Sequence, residues 1–361
     1  MRFYDMLQLN PGVLKKKIRS AELPKERHKL TAAMVARSIL IVIFAIIMIS
    51  PVANVFGPEN SPMGVALFCI LLGIRFVDFG YRIQDSMINF AVVLLLLVFA
   101  PVAAAHVNVV LSMLIHISAF FIILFMTSDC PELGNSGLYT FAYIYLSGNP
   151  VTGVLLGKRL ALAFVGYVLC GAILFAKHRK NNQDVRFVDK VKQFRLADKK
   201  MQWLLQLAMG VGIMLALGTA LHLPRMMWAA FACGSIVGSY DAGAVEARKR
   251  AVQRFLGVLI GSAIFFVFFP MMPESVQSLV GPLGGLILGL CTKYRYQTAC
   301  NCLGALFMAA SLYGVQESVV LRLSQNFVGL IFGVVFLVAF QKVMSLCFST
   351  KSSENPIPQA E

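Results

Sequence analysis

Charged residues are scarce in this sequence, and acidic residues are scarcer than basic ones. Charged residues make up 14% of the 361 residues, against about a quarter in soluble globular proteins. Asp and Glu number 17 against 32 Lys and Arg, while hydrophobic residues reach 58%. Because charged side chains normally cover a soluble surface, this composition predicts an integral membrane protein.

Motifs for catalysis and metal binding are also missing. The sequence has no Walker phosphate loop, HExxH pair, GxSxG elbow or paired CxxC motif. We therefore expect no enzyme, no catalytic residue, no cofactor and no metal site. Nucleic acid is not an expected partner either, because basic residues beside membrane spans set topology or contact anionic lipid.

Long apolar runs are what the sequence has in abundance. Twelve of them follow one another along the chain, the first at residues 33–55 and the last at 319–347. Runs near the length that crosses about 30 Å of hydrocarbon favour helices over the short strands of a barrel. The predicted fold class is therefore all-α, a polytopic membrane protein with about twelve transmembrane helices.

Basic residues cluster on one side of the predicted bundle. Residues 15–29 and 177–200 hold half of the 32 Lys and Arg. Alternate turns carry arginines such as Arg248 and Arg295, whereas the opposite turns carry only Arg225. Since cytoplasmic loops are enriched in Lys and Arg, we expect cytoplasmic N- and C-termini and a plasma membrane location.

A repeat of roughly 165 residues divides the chain. The helix with Arg159 and Gly166 matches the helix with Arg322 and Gly329, because each glycine follows its arginine by seven residues. Each repeat would contain six helices, and an even number gives both repeats the same orientation in the membrane. The sequence thus predicts two parallel six-helix repeats.

These features predict five segments. The predicted order is a basic cytoplasmic N-terminus at 1–30, a first transmembrane repeat at 31–177, a basic cytoplasmic linker at 178–200, a second repeat at 201–347 and a cytoplasmic tail at 348–361. The sequence does not indicate which oligomeric state the protein adopts.

The linker allows two interpretations. Its apolar residues Phe187, Val188, Val191 and Phe194 fall at helical spacing. This helix either lies against the membrane face, with lysines on lipid phosphates, or is a solvated connection. Anionic lipid at the cytoplasmic face is an expected partner. One turn on the same side, 127–136, is acidic and departs from the basic pattern.

Placing an arginine at the centre of a membrane-spanning helix costs about 2.5–3.5 kcal/mol of insertion free energy, so such residues are usually functional. Arginines inside apolar helices are therefore the main candidates for a solute site. Arg159 lies about nine residues past its turn, roughly 13 Å, whereas Arg322 lies only about five residues past its own, roughly 7 Å. We expect Arg159, with Lys158 and Arg322, to bind an organic anion such as a carboxylate. The alternative is snorkelling combined with pairing to a carbonyl or carboxylate.

A histidine also lies within an apolar helix. His116 occupies the middle of "VLSMLIHISAFF". It is a candidate proton relay in a coupled transporter. The alternative is a neutral histidine that is hydrogen-bonded to a neighbouring helix.

Two stretches carry a family resemblance. They read "RMMWAAFACGSIVGSYDAGAVEARKRAVQRFLGVLIGSAIFF" and "YIYLSGNPVTGVLLGKRLALAFVG". Together they resemble the fusaric acid resistance and aromatic acid exporter family, in which a Trp-containing helix precedes an Arg-x-x-Gly-(Thr)-x-x-Gly helix. Trp228, Arg254, Gly257 and Gly261 occupy those places here, with Val258 where threonine is usual.

The resemblance implies a function. It implies efflux of small organic anions such as aromatic carboxylates, and it adds Arg254 and Trp228 to the candidate substrate contacts. The chain is also distantly similar to plant aluminium-activated malate channels, so a passive anion channel is the first alternative. A scaffold or lipid-binding membrane protein without a solute pathway is the second.

Overall fold

The computed structural model describes residues 2–240 and 243–349, and these residues form α-helices without any strand. The α-helices are α1 (Phe3–Gln8), α2 (Pro11–Ser20), α3 (Pro24–Phe56), α4 (Ser61–Ile74), α5 (Ile83–Ala105), α6 (Val109–Thr127), α7 (Asn135–Ser147), α8 (Gly153–His178), α9 (Phe187–Lys192), α10 (Lys199–Ala220), α11 (Met227–Val237), α12 (Ala244–Phe268), α13 (Glu274–Gln277), α14 (Val280–Leu290), α15 (Tyr294–Tyr313) and α16 (Val315–Ser349). Most of the tail predicted at 348–361 lies outside the described residues.

The predicted all-α polytopic fold is confirmed. Seven helices in the described part of the chain are long and apolar enough to cross a membrane, namely α3, α5, α6, α8, α10, α12 and α16. Shorter apolar helices include α4, α11 and α14. Each of the twelve predicted apolar runs falls on a helix. Ten runs fall on the helices just named, and the other two fall on α7 and α15. The chain is a multi-pass membrane protein.

The described residues form two compact units. The first unit draws on residues 1–51 and 251–327, and the second on 52–250 and 328–361. Helices α3, α12 and α16 therefore contribute to both units. This division does not follow the boundary predicted at the linker, and the two six-helix repeats stay a prediction.

Glycines bring helices close together in the first unit. A Cβ at Gly257 of α12 would lie 2.7 Å from the Cβ of Thr298, and one at Gly261 would lie 2.8 Å from the Cβ of Cys302. Both partners belong to α15. Helices α12 and α15 therefore pack closely, because the two glycines place no side chain on the α12 side of the contact. In contrast, a Cβ at Gly157 of α8 would meet nothing within 4 Å.

Two glycines of the predicted repeat make matching contacts in the second unit. Gly166 of α8 packs against Leu67 of α4, and Gly329 of α16 packs against the backbone of Ala229 in α11. In both cases the glycine lets the last helix of a predicted repeat approach the second helix of the same repeat. A side chain at either position would displace that neighbour.

The linker helix α9 packs on the protein. The ring centroids of Phe187 and Phe194 lie 5.9 and 6.0 Å from that of Phe125, on α6. Val188 and Val191 are exposed. Phe187 is half-buried and Phe194 is 42% exposed, so part of the predicted apolar face contacts α6, which neither interpretation of the linker included.

An acidic side chain fastens the linker. Asp129 lies in the acidic turn after α6, and its Oδ1 is 2.8 Å from the ammonium groups of both Lys190 and Lys200. Burial opposes ionisation of Asp129, but the two ammonium groups hold its pKa below the ordinary value. The acidic turn departs from the basic pattern because it binds the basic linker.

Replacing Asp129 should release the linker. Asp129→Asn removes the charge that Lys190 and Lys200 share, so backbone amides at 185–196 should exchange hydrogen for deuterium faster by mass spectrometry. Asp184→Asn changes an exposed acid of the same linker and should leave the exchange as it is. Equal exchange in both variants would contradict this role of Asp129.

The same ion pairs make the docked linker sensitive to acid. Because the folded pKa of Asp129 is lowered, its stabilisation is complete above the unfolded pKa of about 3.9. It is lost as the pH falls through the lower folded pKa. Hydrogen exchange at the linker amides of the wild-type protein, corrected for the intrinsic effect of pH, should therefore resemble that of Asp129→Asn only below about pH 4.

Candidate anion-binding site

The guanidinium of Arg159 is fully buried and bound by three protein oxygens. Its Nε donates to Oδ1 of Asn60 at 2.9 Å, Nη1 donates to the carbonyl of Asn149 at 2.8 Å, and Nη2 donates to the carbonyl of Glu59 at 2.9 Å. The acceptors lie in the turns that follow α3 and α7. Hydrogen bonds to these oxygens offset the cost of burying the cation.

The turn after α3 is shaped to hold this arginine. Gly57 has φ of +93°, a left-handed conformation that favours glycine, and it leads into a short 3₁₀ turn that ends at Asn60. The side-chain Nδ2 of Asn60 donates to the carbonyls of Phe56 (2.9 Å) and Leu155 (3.2 Å). These two hydrogen bonds fix the side-chain amide so that its Oδ1 faces Arg159. Arg159 thus ties α8 to this turn, and its contact with a transported anion stays a prediction.

The other candidates of the second unit occupy different surroundings. Lys158 is exposed on α8, and Trp228 is buried in α11. His116 is buried in α6, with its Nδ1 2.9 Å from the hydroxyl of Tyr143 and the two rings edge to face. The histidine thus has the hydrogen bond to a neighbouring helix that the alternative predicted, and a proton relay through it stays a prediction.

The first unit brings Arg254 and Arg322 together. Arg254 of α12 donates from Nη1 to the hydroxyl of Tyr294 at 3.1 Å and from Nε to Oδ1 of Asn326 at 3.4 Å. The amide nitrogen of Asn326 donates to the carbonyl of Arg322 at 2.8 Å. Arg322 is 5% exposed, and Asn326 links it to Arg254. We call Arg254, Tyr294, Arg322 and Asn326 the arginine cluster.

Few acids neighbour Arg254 along the chain. Residues 247–349 contain only two acids, Glu274 and Glu317, and both are exposed. Arg254 is half-buried and forms no ion pair with any described residue. Its guanidinium is therefore a candidate to bind an anion from outside the chain, and guanidinium groups bind carboxylates through paired hydrogen bonds.

Sequence reasoning missed two members of the cluster. Asn326 follows Arg322 by four residues, which places both on one face of α16, so its spacing was an available signal. Tyr294 begins α15 and meets Arg254 only through the packing of α12 on α15. No local pattern could have indicated Tyr294.

A comparison with known families points to the same region. Residues 212–336 match the family model described as fusaric acid resistance protein-like. Over these residues the chain is similar to that family. The match includes Arg254 and Arg322 and confirms the predicted resemblance, whereas the similarity to aluminium-activated channels stays a prediction. No curated protein and no solved structure matches the chain.

The match to this family model indicates a role in membrane transport and efflux. Within residues 2–240 and 243–349, no group of three His, Cys, Asp or Glu is placed to hold a metal ion.

The main effect of replacing Arg159 should be a loss of protein stability. Arg159→Gln should leave acceptors at Glu59, Asn60 and Asn149 unsatisfied, at about 1–3 kcal/mol for each. Thermal unfolding in detergent should show a clear loss for Arg159→Gln and none for Lys158→Gln, its exposed neighbour. A stable Arg159→Gln protein with reduced anion flux would instead favour contact with the substrate.

Proposed function

We propose that this protein exports small organic anions across the plasma membrane and that aromatic carboxylates are the preferred class. The observation that supports this most is the arginine cluster, which lies within the matched domain and lacks a neighbouring carboxylate for Arg254. The family resemblance supports the aromatic class, because the similar proteins export aromatic acids.

The position of the cluster suits a solute path. Arg254 lies ten residues into α12 and Arg322 seven residues into α16, roughly 15 and 10 Å from the helix starts. By the alternation of helices, α12 and α16 begin on opposite sides of the membrane. Arg322 lies within the apolar part of α16, and Arg254 directly precedes the apolar run of α12, where a carboxylate would exchange water for guanidinium donors.

Each cluster member has a distinct proposed role. Arg254 and Arg322 hold the carboxylate between two guanidinium groups. Tyr294 and Asn326 orient Arg254 through its Nη1 and Nε, which leaves its remaining N–H groups for the anion.

Substitutions in the cluster should reduce anion flux. In proteoliposomes, Arg254→Gln and Arg322→Gln should each lower flux of labelled benzoate at least about tenfold, because each removes charge-assisted hydrogen bonds. Arg248→Gln makes the same change at an exposed site on α12 and should leave flux unchanged. Thermal unfolding of all three variants controls for folding. Full flux in both cluster variants would overturn the proposed site.

The driving force separates the alternative functions. Uphill benzoate movement that requires a proton gradient supports a coupled exporter. Downhill flux alone would indicate a passive anion channel. No flux across a panel of labelled carboxylates would refute transport and leave a scaffold or lipid-binding protein.

We also propose that the linker side of the protein faces the cytoplasm. Nine Lys and Arg at 177–200 support this orientation. Cys130 is exposed in the turn that binds the linker. A membrane-impermeant maleimide should label Cys130 in inverted vesicles and not in intact cells, as mass spectrometry of the peptide will show. Labelling in intact cells would reverse the orientation.

A further inference from the structure

Two cysteines lie side by side at the turn between α14 and α15. Cys291 directly follows the last residue of α14, and Cys300 is the seventh residue of α15. Their Sγ atoms are 4.0 Å apart, which is close to van der Waals contact. Both residues are half-buried free thiols, and both belong to the first compact unit. We call Cys291 and Cys300 the cysteine pair.

The surrounding turn holds the two thiols in this position. The side-chain Nε2 of Gln297 donates to the carbonyl of Cys291 at 3.1 Å, so the start of α15 is tied to the end of α14. A Cβ at Gly284 of α14 would lie 3.2 Å from the carbonyl oxygen of Cys300. The glycine therefore lets α14 pack closely on α15 beside Cys300. Because contacts fix the backbone near each cysteine, the two sulfur atoms stay adjacent without any refolding.

The position of the pair suits a reversible disulfide. Lys293 and Arg295 follow Cys291 in the same turn, and basic turns of this kind face the cytoplasm. Disulfides of cytoplasmic thiols are usually transient and redox-sensing, because glutathione keeps such thiols reduced at rest. The side chain of Lys293 is exposed, so its charge attracts an anionic oxidant such as glutathione disulfide. The turn thus brings an oxidant and two adjacent thiols together.

We propose that the cysteine pair is a modification site, which glutathione disulfide oxidises to an intramolecular disulfide bond. The thiolate of Cys291 attacks one sulfur of glutathione disulfide, forms a mixed disulfide and releases one glutathione thiolate. The thiolate of Cys300 then attacks the Cys291 sulfur and releases the second glutathione. The two protein thiol protons end on the two glutathione molecules, and two electrons pass from the cysteine pair to the oxidant. Excess reduced glutathione reverses both steps.

Oxidation of the pair also acts on the arginine cluster, and this step rests on the proposed function. Tyr294 is the first residue of α15 and lies between the two cysteines in sequence. Its hydroxyl accepts the hydrogen bond from Nη1 of Arg254 at 3.1 Å. A disulfide bond draws the first turns of α15 towards Cys291, and a shift of about 1 Å takes that hydrogen bond beyond its normal length. The oxidised protein should therefore orient Arg254 less firmly and bind a carboxylate more weakly.

Peptide mapping of the full-length protein tests the disulfide itself. The purified protein would be equilibrated with mixtures of glutathione and glutathione disulfide, alkylated and digested with trypsin. Lys293 and Arg295 lie between the two cysteines, so trypsin separates peptide 255–293 from peptide 296–322. Glutathione disulfide should link these two peptides, and excess reduced glutathione should release them. Absence of the linked peptides at every glutathione ratio would overturn the proposal.

Matched serine variants assign the two sulfur atoms of the linked peptides. Cys291→Ser and Cys300→Ser should each abolish the link. Cys302→Ser changes a buried cysteine of the same tryptic peptide, and Cys130→Ser changes an exposed cysteine outside both peptides, so each should keep the link. Thermal unfolding shows whether each variant is folded. A link that is retained in Cys300→Ser and lost in folded Cys302→Ser would assign the bond to Cys302 and refute the cysteine pair.

Benzoate binding tests the effect of the disulfide on the arginine cluster. Labelled benzoate should bind the oxidised wild-type protein about fivefold more weakly than the reduced protein, because Arg254 loses one hydrogen bond. Cys291→Ser should show the same affinity after both glutathione treatments. Equal affinity of oxidised and reduced wild-type protein would refute redox control of the cluster. No binding to either form would instead refute the proposed anion site, whereas the linked peptides decide the disulfide separately.

Discussion

A cation inside hydrocarbon must find acceptors in the protein or receive an anion, and this constraint organises the two arginine sites. Arg159 takes the first solution, with three oxygens from turns after α3 and α7. Arg254 is half-buried and has no ion pair among the described residues, which is why we propose the second for the arginine cluster. Two arginine helices that look alike in sequence therefore differ in the partners of their arginines.

Cations on the linker side of the protein also have an internal partner, although they lie near water. Asp129 binds both Lys190 and Lys200 and so fastens α9 to α6.

Much of the fold could be predicted because membrane helices are marked by long apolar runs, and each such run falls on a helix. The partners of Arg159 could not be predicted, since Glu59 and Asn60 lie about a hundred residues away and are positioned by a turn. Periodicity identified an apolar face on the linker but not the contacts of Phe187 and Phe194 with α6. The pairing of Arg254 with Arg322 likewise depends on the packing of α12 and α16.

Equilibrium binding tests the central claim most directly. Labelled benzoate would be titrated onto the purified full-length protein and onto the Arg254→Gln/Arg322→Gln double variant, with both proteins shown to be folded by their thermal unfolding. The arginine cluster predicts saturable binding to the wild-type protein and its loss in the double variant. Equal saturable binding to both proteins would contradict the claim that these two arginines form the anion site.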